Sequence, residues 1–138
     1  MAAGGDIYVS GTKDKETPWK IGIKHPRNTN DLIAEFDLKD YAVATSGDYE
    51  RFKIINGKRY HHILDPKTGY PGNLSESSTI LAPTAEEADA TATYIFLIGW
   101  QKTLSDKNID YPFLIVASDG GVHYNEALEK NYNLELIK

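Results

Sequence analysis

Only one stretch of this chain carries a full set of helix signals, and it lies past the middle. Thr84 is followed three residues later by Glu87, a capping box in which each side chain satisfies a backbone group of the first turn. An apolar run follows, and Gly99 closes it. The spacing predicts a helix from about Ala85 to Leu97, and weaker signals predict a second from Gln101 to Asn108. Almost everything else reads as strand. Ile7 to Val9 is short, and Ser10 to Pro18 is a polar loop. Trp19 to Lys24 and Leu32 to Leu38 alternate between large apolar and polar residues, as half-buried strands do. Tyr41 to Thr45 follows and is stopped by Ser46-Gly47-Asp48. Phe52 to Ile55, Asn56-Gly57 and Arg59 to Leu64 form a hairpin, because Asn-Gly suits the tight turn that matches strand twist. Ser77 to Leu81, Phe113 to Ala117, Val122 to Asn125 and Leu134 to Ile137 complete the strands. One strong helix among so many short strands predicts an α+β fold: a mostly antiparallel sheet with one main and one shorter helix packed on it. With no repeat, low-complexity segment or linker, residues 1–138 read as a single domain.

Composition narrows the function classes. A net charge of −5 argues against a nucleic-acid binder or an anionic-membrane binder. The chain has no cysteine, which excludes a disulfide framework, a thiolate metal site and a cysteine nucleophile. No stretch approaches the about 18 apolar residues of a membrane span. The opening residues Met1 to Val9 enter a turn and strand abruptly, with no leader-like segment, and read as a cut start.

Chemistry concentrates in Arg59-Tyr60-His61-His62-Ile63-Leu64-Asp65-Pro66-Lys67-Thr68-Gly69-Tyr70-Pro71, which holds two of the four histidines. Adjacent strand residues point to opposite faces, so His61 and His62 are not a chelating pair. Alternation puts His62 with Tyr60 and Leu64, and His61 with Arg59 and Ile63. An imidazole can act as general base or bind phosphate as a cation, and it can equally be a strand histidine satisfied by a backbone carbonyl. Asp65 to Gly69 is a turn recipe. Asp89 and Thr93 lie one helical turn apart on one face and offer a carboxylate and a hydroxyl to a hard cation such as Mg2+. The alternative is a Thr93 hydroxyl bonded back to the Asp89 carbonyl. The turns Gly4-Gly5-Asp6 and Ser46-Gly47-Asp48-Tyr49 could let a backbone approach phosphates closely.

Read together, these segments resemble the FAD:protein FMN transferase family, the ApbE-type flavin transferases once described as thiamine-biosynthesis lipoproteins. The matching residues are Ala3-Gly4-Gly5-Asp6-Ile7-Tyr8, Trp19-Lys20-Ile21-Gly22-Ile23, Ala44 to Arg51, Arg59 to Pro71, and Ala82-Pro83-Thr84 leading to Ala88-Asp89-Ala90-Thr91-Ala92-Thr93. The resemblance implies a Mg2+-dependent enzyme that takes FMN from FAD, joins it through a phosphoester to a Thr or Ser of an acceptor flavoprotein, and releases AMP. It implies that His62 is catalytic and that Asp89 and Thr93 ligate the metal. It also implies that Gly4, Gly5, Asp6, Ser46, Gly47, Asp48 and Tyr49 line the flavin nucleotide pocket. Family members are often exported lipoproteins. The chain resembles only the C-terminal half of such proteins, so part of the FAD pocket and a further metal ligand are expected from elsewhere. Two other readings stay open: a non-catalytic flavin or nucleotide-binding module, and a structural half-domain that binds nothing alone.

Overall fold

The computed structural model describes residues 1–3 and 5–138. Its strands divide among three sheets, where the sequence pattern had suggested one. Alternation fixes which residues share a face, but it does not name the neighbouring strand. The central sheet holds β1 (Ala2–Ala3), β2 (Asp6–Val9), β5 (Tyr41–Gly47), β8 (Ser75–Ala82), β9 (Phe113–Ala117) and β10 (Val122–Tyr124), in the order β1-β2-β5-β8-β9-β10. An outer sheet runs β11-β4-β3, from β3 (Trp19–Lys24), β4 (Leu32–Leu38) and β11 (Glu135–Leu136). The hairpin of β6 (Phe52–Ile55) and β7 (Lys58–His61) stands apart. Among the described residues the strand pairings are all antiparallel.

Strand alternation in the central sheet produces two cores. Val43, Leu81, Leu114 and Val116 face the outer sheet and pack with Ile23, Phe36 and Leu38. Ala42, Ala44, Ile80, Ala82, Phe113 and Ile115 face the other way, against Ala88, Ala92 and Ile95 of helix α1 (Ala85–Ser105). The small alanines on both partners let helix and sheet approach closely. Among the described residues no helix is long and apolar enough to cross a membrane.

The expected helix start is present: Thr84 is the N-cap, and its side chain accepts from the Glu87 N–H. Gly99 interrupts the helix with φ 77° and ψ 167°, a conformation open essentially to glycine alone. The Thr103 hydroxyl donates to the Gly99 carbonyl at 2.8 Å, which satisfies a group near the break. The second segment ends at Ser105 rather than Asn108, because the Asp106 carboxylate accepts from the Asn108 N–H and turns the chain. A short helix, α2 (Glu126–Asn131), was not expected. Asn125, read as the end of a strand, is its N-cap: the side chain accepts from the Leu128 N–H. Hairpin strand β7 ends at His61, not Leu64, because the His61 ring accepts from the Ile63 N–H and bends the chain.

The Asp37 carboxylate helps hold the outer sheet to the chain after α2. It accepts from Asn133 at 2.9 Å and pairs with Lys20 at 3.1 Å, and these contacts hold its pKa below the ordinary carboxylate value. A depressed folded-state pKa stabilises above the unfolded value and is lost as pH falls through the folded one. Asp37→Asn should therefore lower the melting temperature at neutral pH by the equivalent of about 0.5–1 kcal/mol, given the exposure of Lys20. The gap to the wild type should close on acidification. Gly99→Ala should cost about 1–3 kcal/mol in urea unfolding. Its Cβ would sit 3.1 Å from the Leu74 Cβ in a backbone conformation that alanine resists.

Candidate active site

At one end the central sheet turns polar. Thr45 of β5 faces Thr79 of β8, and their hydroxyls bond at 2.8 Å. Ser46 faces Ser78. The Ser78 hydroxyl donates to the Ala92 carbonyl at 2.7 Å, and the Ser46 hydroxyl meets that of Thr93 at 3.1 Å. Buried hydroxyls need partners. Ser46 and Ser78 find them on α1, and so tie its middle turns to the ends of β5 and β8. Thr93 also bonds back to the Asp89 carbonyl at 3.3 Å.

Beside this seam lies a cavity of about 380 Å3, lined by Asp6, Thr45, Ser46, Glu50, His62, Ile63, Leu64, Asp89 and Thr93. Five of the residues singled out in the sequence meet here: Asp6, Ser46, His62, Asp89 and Thr93. Burial pushes the Asp6 carboxyl pKa upward, and the charge of Asp89 adds to the shift. Burial likewise raises Glu50; His62 opposes that shift, while Asp6 and Asp89 reinforce it. The site is therefore a pocket of mutually repelling carboxylates with one imidazole. Glu50 was not anticipated. In the sequence it is one acid after a turn, a pattern usually found in solvent.

The two histidines separate as strand alternation requires. His61 is 7% exposed and its ring lies edge-on to Phe96, with centroids 5.4 Å apart. Its Nδ1 accepts from the Ile63 N–H at 3.2 Å, so the proton sits on Nε2, which donates to the Gly72 carbonyl at 2.7 Å. Both nitrogens are spent on structure. His62 is exposed to the cavity. The Arg51 carbonyl accepts from its backbone N–H at 3.1 Å and from its Nδ1 at 3.3 Å. A carbonyl only accepts, so Nδ1 carries a hydrogen, and Nε2 has no protein partner among the described residues.

The remaining candidates are placed differently. Gly5 and Tyr49 line a larger adjoining cleft of about 630 Å3, which shares Thr45 and Glu50 with the first and has Ile7, Ile21, Ile23 and Val43 on its walls. Burial, with Glu50 and Asp48 nearby, pushes the Tyr49 hydroxyl up to about 12, so it stays a neutral hydrogen-bonding group. Gly47 packs under the Tyr49 ring, where any Cβ would collide with it. Asp48 lines neither space. It is turned to the other side of the segment, where Arg27 grips it with two bonds of 2.6 and 2.7 Å and Arg59 approaches to 3.8 Å. Its role here is to anchor the Ser46–Tyr49 turn. Gly4 lies outside the described residues. Asp65 is the expected turn former: its carboxylate accepts from the Lys67 N–H and its carbonyl from the Gly69 N–H.

A family model described as the ApbE family matches residues 1–110. The chain belongs to the ApbE family. The crystal structure of the ApbE protein from Thermotoga maritima superposes with a TM-score of 0.86 at 45% identity, over 93% of this chain and 42% of that one. The flavin transferase ApbE from Vibrio cholerae gives a TM-score of 0.75 at 30% identity, over 92% of this chain and 42% of that one. A Haemophilus influenzae protein named FAD:protein FMN transferase is 39% identical over 123 residues, 86% of this chain and 36% of that protein. The Treponema pallidum protein of the same name is 39% identical over 110 residues, 72% of this chain and 30% of that protein. The chain thus spans about a third of the length of the curated relatives it matches.

Within this ApbE chain the oxygen-rich cavity suits a hard cation as part of a shell, not as a closed cage. Among the described residues no three His, Cys, Asp or Glu side chains converge closely enough to hold a metal alone. Mg2+ needs only one or two carboxylates when substrate phosphates and water supply the rest. The Asp6–Asp89 repulsion and the neighbouring Thr93 and Ser46 hydroxyls are the features that fit such an ion.

The Arg27 grip on Asp48 can be tested directly. Asp48 is 7% exposed, and Arg27→Ala would leave its carboxylate with only the distant Arg59 guanidinium. We expect a loss of about 1–3 kcal/mol in urea unfolding, the cost of a buried polar group left short of partners. Adding Asp48→Asn to that variant should recover part of the loss.

Proposed function

We propose that this chain works as part of a Mg2+-dependent flavin transferase that moves FMN from FAD to a Thr or Ser hydroxyl of an acceptor flavoprotein and releases AMP. The observation that carries this reading is His62. Its Nδ1 is tied to the Arg51 carbonyl, and its Nε2 is free in the same cavity as Asp6, Asp89, Ser46 and Thr93. An imidazole held by one ring nitrogen, with the other facing the cavity, is placed to take a proton from an incoming hydroxyl. The names of the relatives support the same chemistry.

In the proposed reaction the acceptor oxygen attacks the FMN-side phosphorus of the FAD pyrophosphate. The hydroxyl proton passes to His62 Nε2, the new P–O bond forms, and the bond to the AMP phosphate breaks with its electron pair leaving on AMP. Asp89 and the Thr93 hydroxyl would hold Mg2+, with Asp6 beside them, and the ion would offset the pyrophosphate charge. The seam of Ser46 and Thr93 fixes the helix turn that carries Asp89. The cleft between the sheets, walled by Ile7, Ile21, Ile23 and Val43 with Tyr49 as a neutral donor, suits a flat aromatic part of FAD. This chain supplies one wall of the site, and the remainder is expected from family-length sequence.

The test is FMN transfer by the family-length protein carrying this chain, read by mass spectrometry of an acceptor protein. Wild type with FAD and Mg2+ should add an FMN-sized mass, and chelation should abolish it. His62→Ala and Asp89→Ala should each slow transfer by about 100-fold or more while keeping the fold. Undiminished transfer in both would sink the residue assignments. Saturable FAD binding without any adduct would instead favour the non-catalytic binding module.

A further inference from the structure

The β6–β7 hairpin is a two-stranded sheet that pairs with neither larger sheet. Such a hairpin is marginal in water unless something covers it. All of β6 is exposed, with Phe52 at 43%, Ile54 at 57% and Ile55 at 51%. Its two faces differ. Phe52, Ile54, Arg59 and His61 share one, as cross-strand partners do. That face engages the body at its base, where Arg59 stacks over Phe52 at 4.0 Å and reaches toward Asp48 and His61 is buried, while Ile54 nearer the tip stays open. The other face carries Lys53 opposite Tyr60 and Ile55 opposite Lys58. It runs directly on to His62, which is held by Arg51 across the base of the hairpin.

This second face is chemically one-sided. It carries Lys53 and Lys58, with Arg51 at its base, and residues 51–60 hold no acid, in a chain whose net charge is −5. Arg51, Lys53 and Lys58 have no ion-pair partner among the described residues. Lys58 lies over the Tyr60 ring at 5.5 Å. From His62 to Lys58 the strip is about 14 Å long at the strand rise per residue. That matches a short extended peptide better than a globular contact.

We propose that the Lys53–Ile55–Lys58–Tyr60 face is the docking strip for the acceptor polypeptide, and that it takes an acidic segment with apolar residues beside the hydroxyl to be modified. The idea rests on the transfer reaction proposed above. Charge complementarity selects an acidic partner, and the acidic balance of the rest of the chain disfavours a nucleic acid. The geometry gives the strip its purpose: a segment bound along it ends at the His62 imidazole.

The experiment uses the family-length protein and measures transfer rate against acceptor concentration. The double variant Lys53→Glu, Lys58→Glu should raise KM for the acceptor about tenfold. Its kcat at saturating acceptor, its FAD dissociation constant and its melting temperature should match wild type. The charge-neutral pair Lys53→Gln, Lys58→Gln should give a smaller rise. Added salt should raise the wild-type KM and leave the neutral variant nearly flat. An acceptor KM within twofold of wild type in the reversal variant overturns the docking strip. So does a loss of FAD affinity or thermal stability, which would mean that the protein's own remaining sequence covers the hairpin. No adduct with wild type overturns the transfer reading and the strip together.

Discussion

The middle strands of the central sheet, β5, β8 and β9, are buried on both faces, and that constraint governs the rest of the molecule. On one face, alanines of β5 and β8 meet alanines of α1. On the other, Val43, Leu81, Leu114 and Val116 pack into the outer sheet. A strand buried on both sides has little water to satisfy its polar side chains, so a hydroxyl left without a protein partner, as those of Ser75 and Ser77 are, is costly. Thr45, Ser46, Ser78 and Thr79 find partners in one another and in α1. The same bonds bring Asp89 and Thr93 beside the end of β5. The position of the site follows from how the core ends.

The acid cluster shows the cost of that placement. Asp6 and Glu50 both have raised pKa values: burial comes first for each, the charge of Asp89 adds to both, and Asp6 adds to Glu50. Nothing in the packing requires acids at these positions. Repulsion that a fold tolerates at a cavity wall is characteristic of sites that trade stability for chemistry.

Signals that depend on a few adjacent residues were legible in the sequence. The Thr84–Glu87 cap, the Gly99 stop and the Asn56-Gly57 hairpin all sit where they were expected, because each rests on local backbone chemistry. The division into three sheets was not legible, since alternation is the same whichever neighbour a strand has. The helix after Asn125 was hidden by its six-residue length and by a preceding strand pattern. At the site, strand alternation correctly sent His61 and His62 to opposite faces. Asp48 looked like a member of the flavin-lining turn, but its role depends on Arg27, which lies 21 residues earlier in the chain. Glu50 and the cleft-lining Ile21 and Ile23 become site residues only once β2, β3 and β5 are assembled in space.

The adjacent histidines have a consequence for how the hairpin finds its register. A slip of one residue along β7 would send His61 outward and His62 inward, and the cavity would still receive an imidazole. The interior would receive an imidazole as well, so the exchange is felt at Arg59, which the slip turns away from Asp48 and Phe52. Two neighbouring side chains of one kind thus leave the pairing to be proofread by a residue that precedes them.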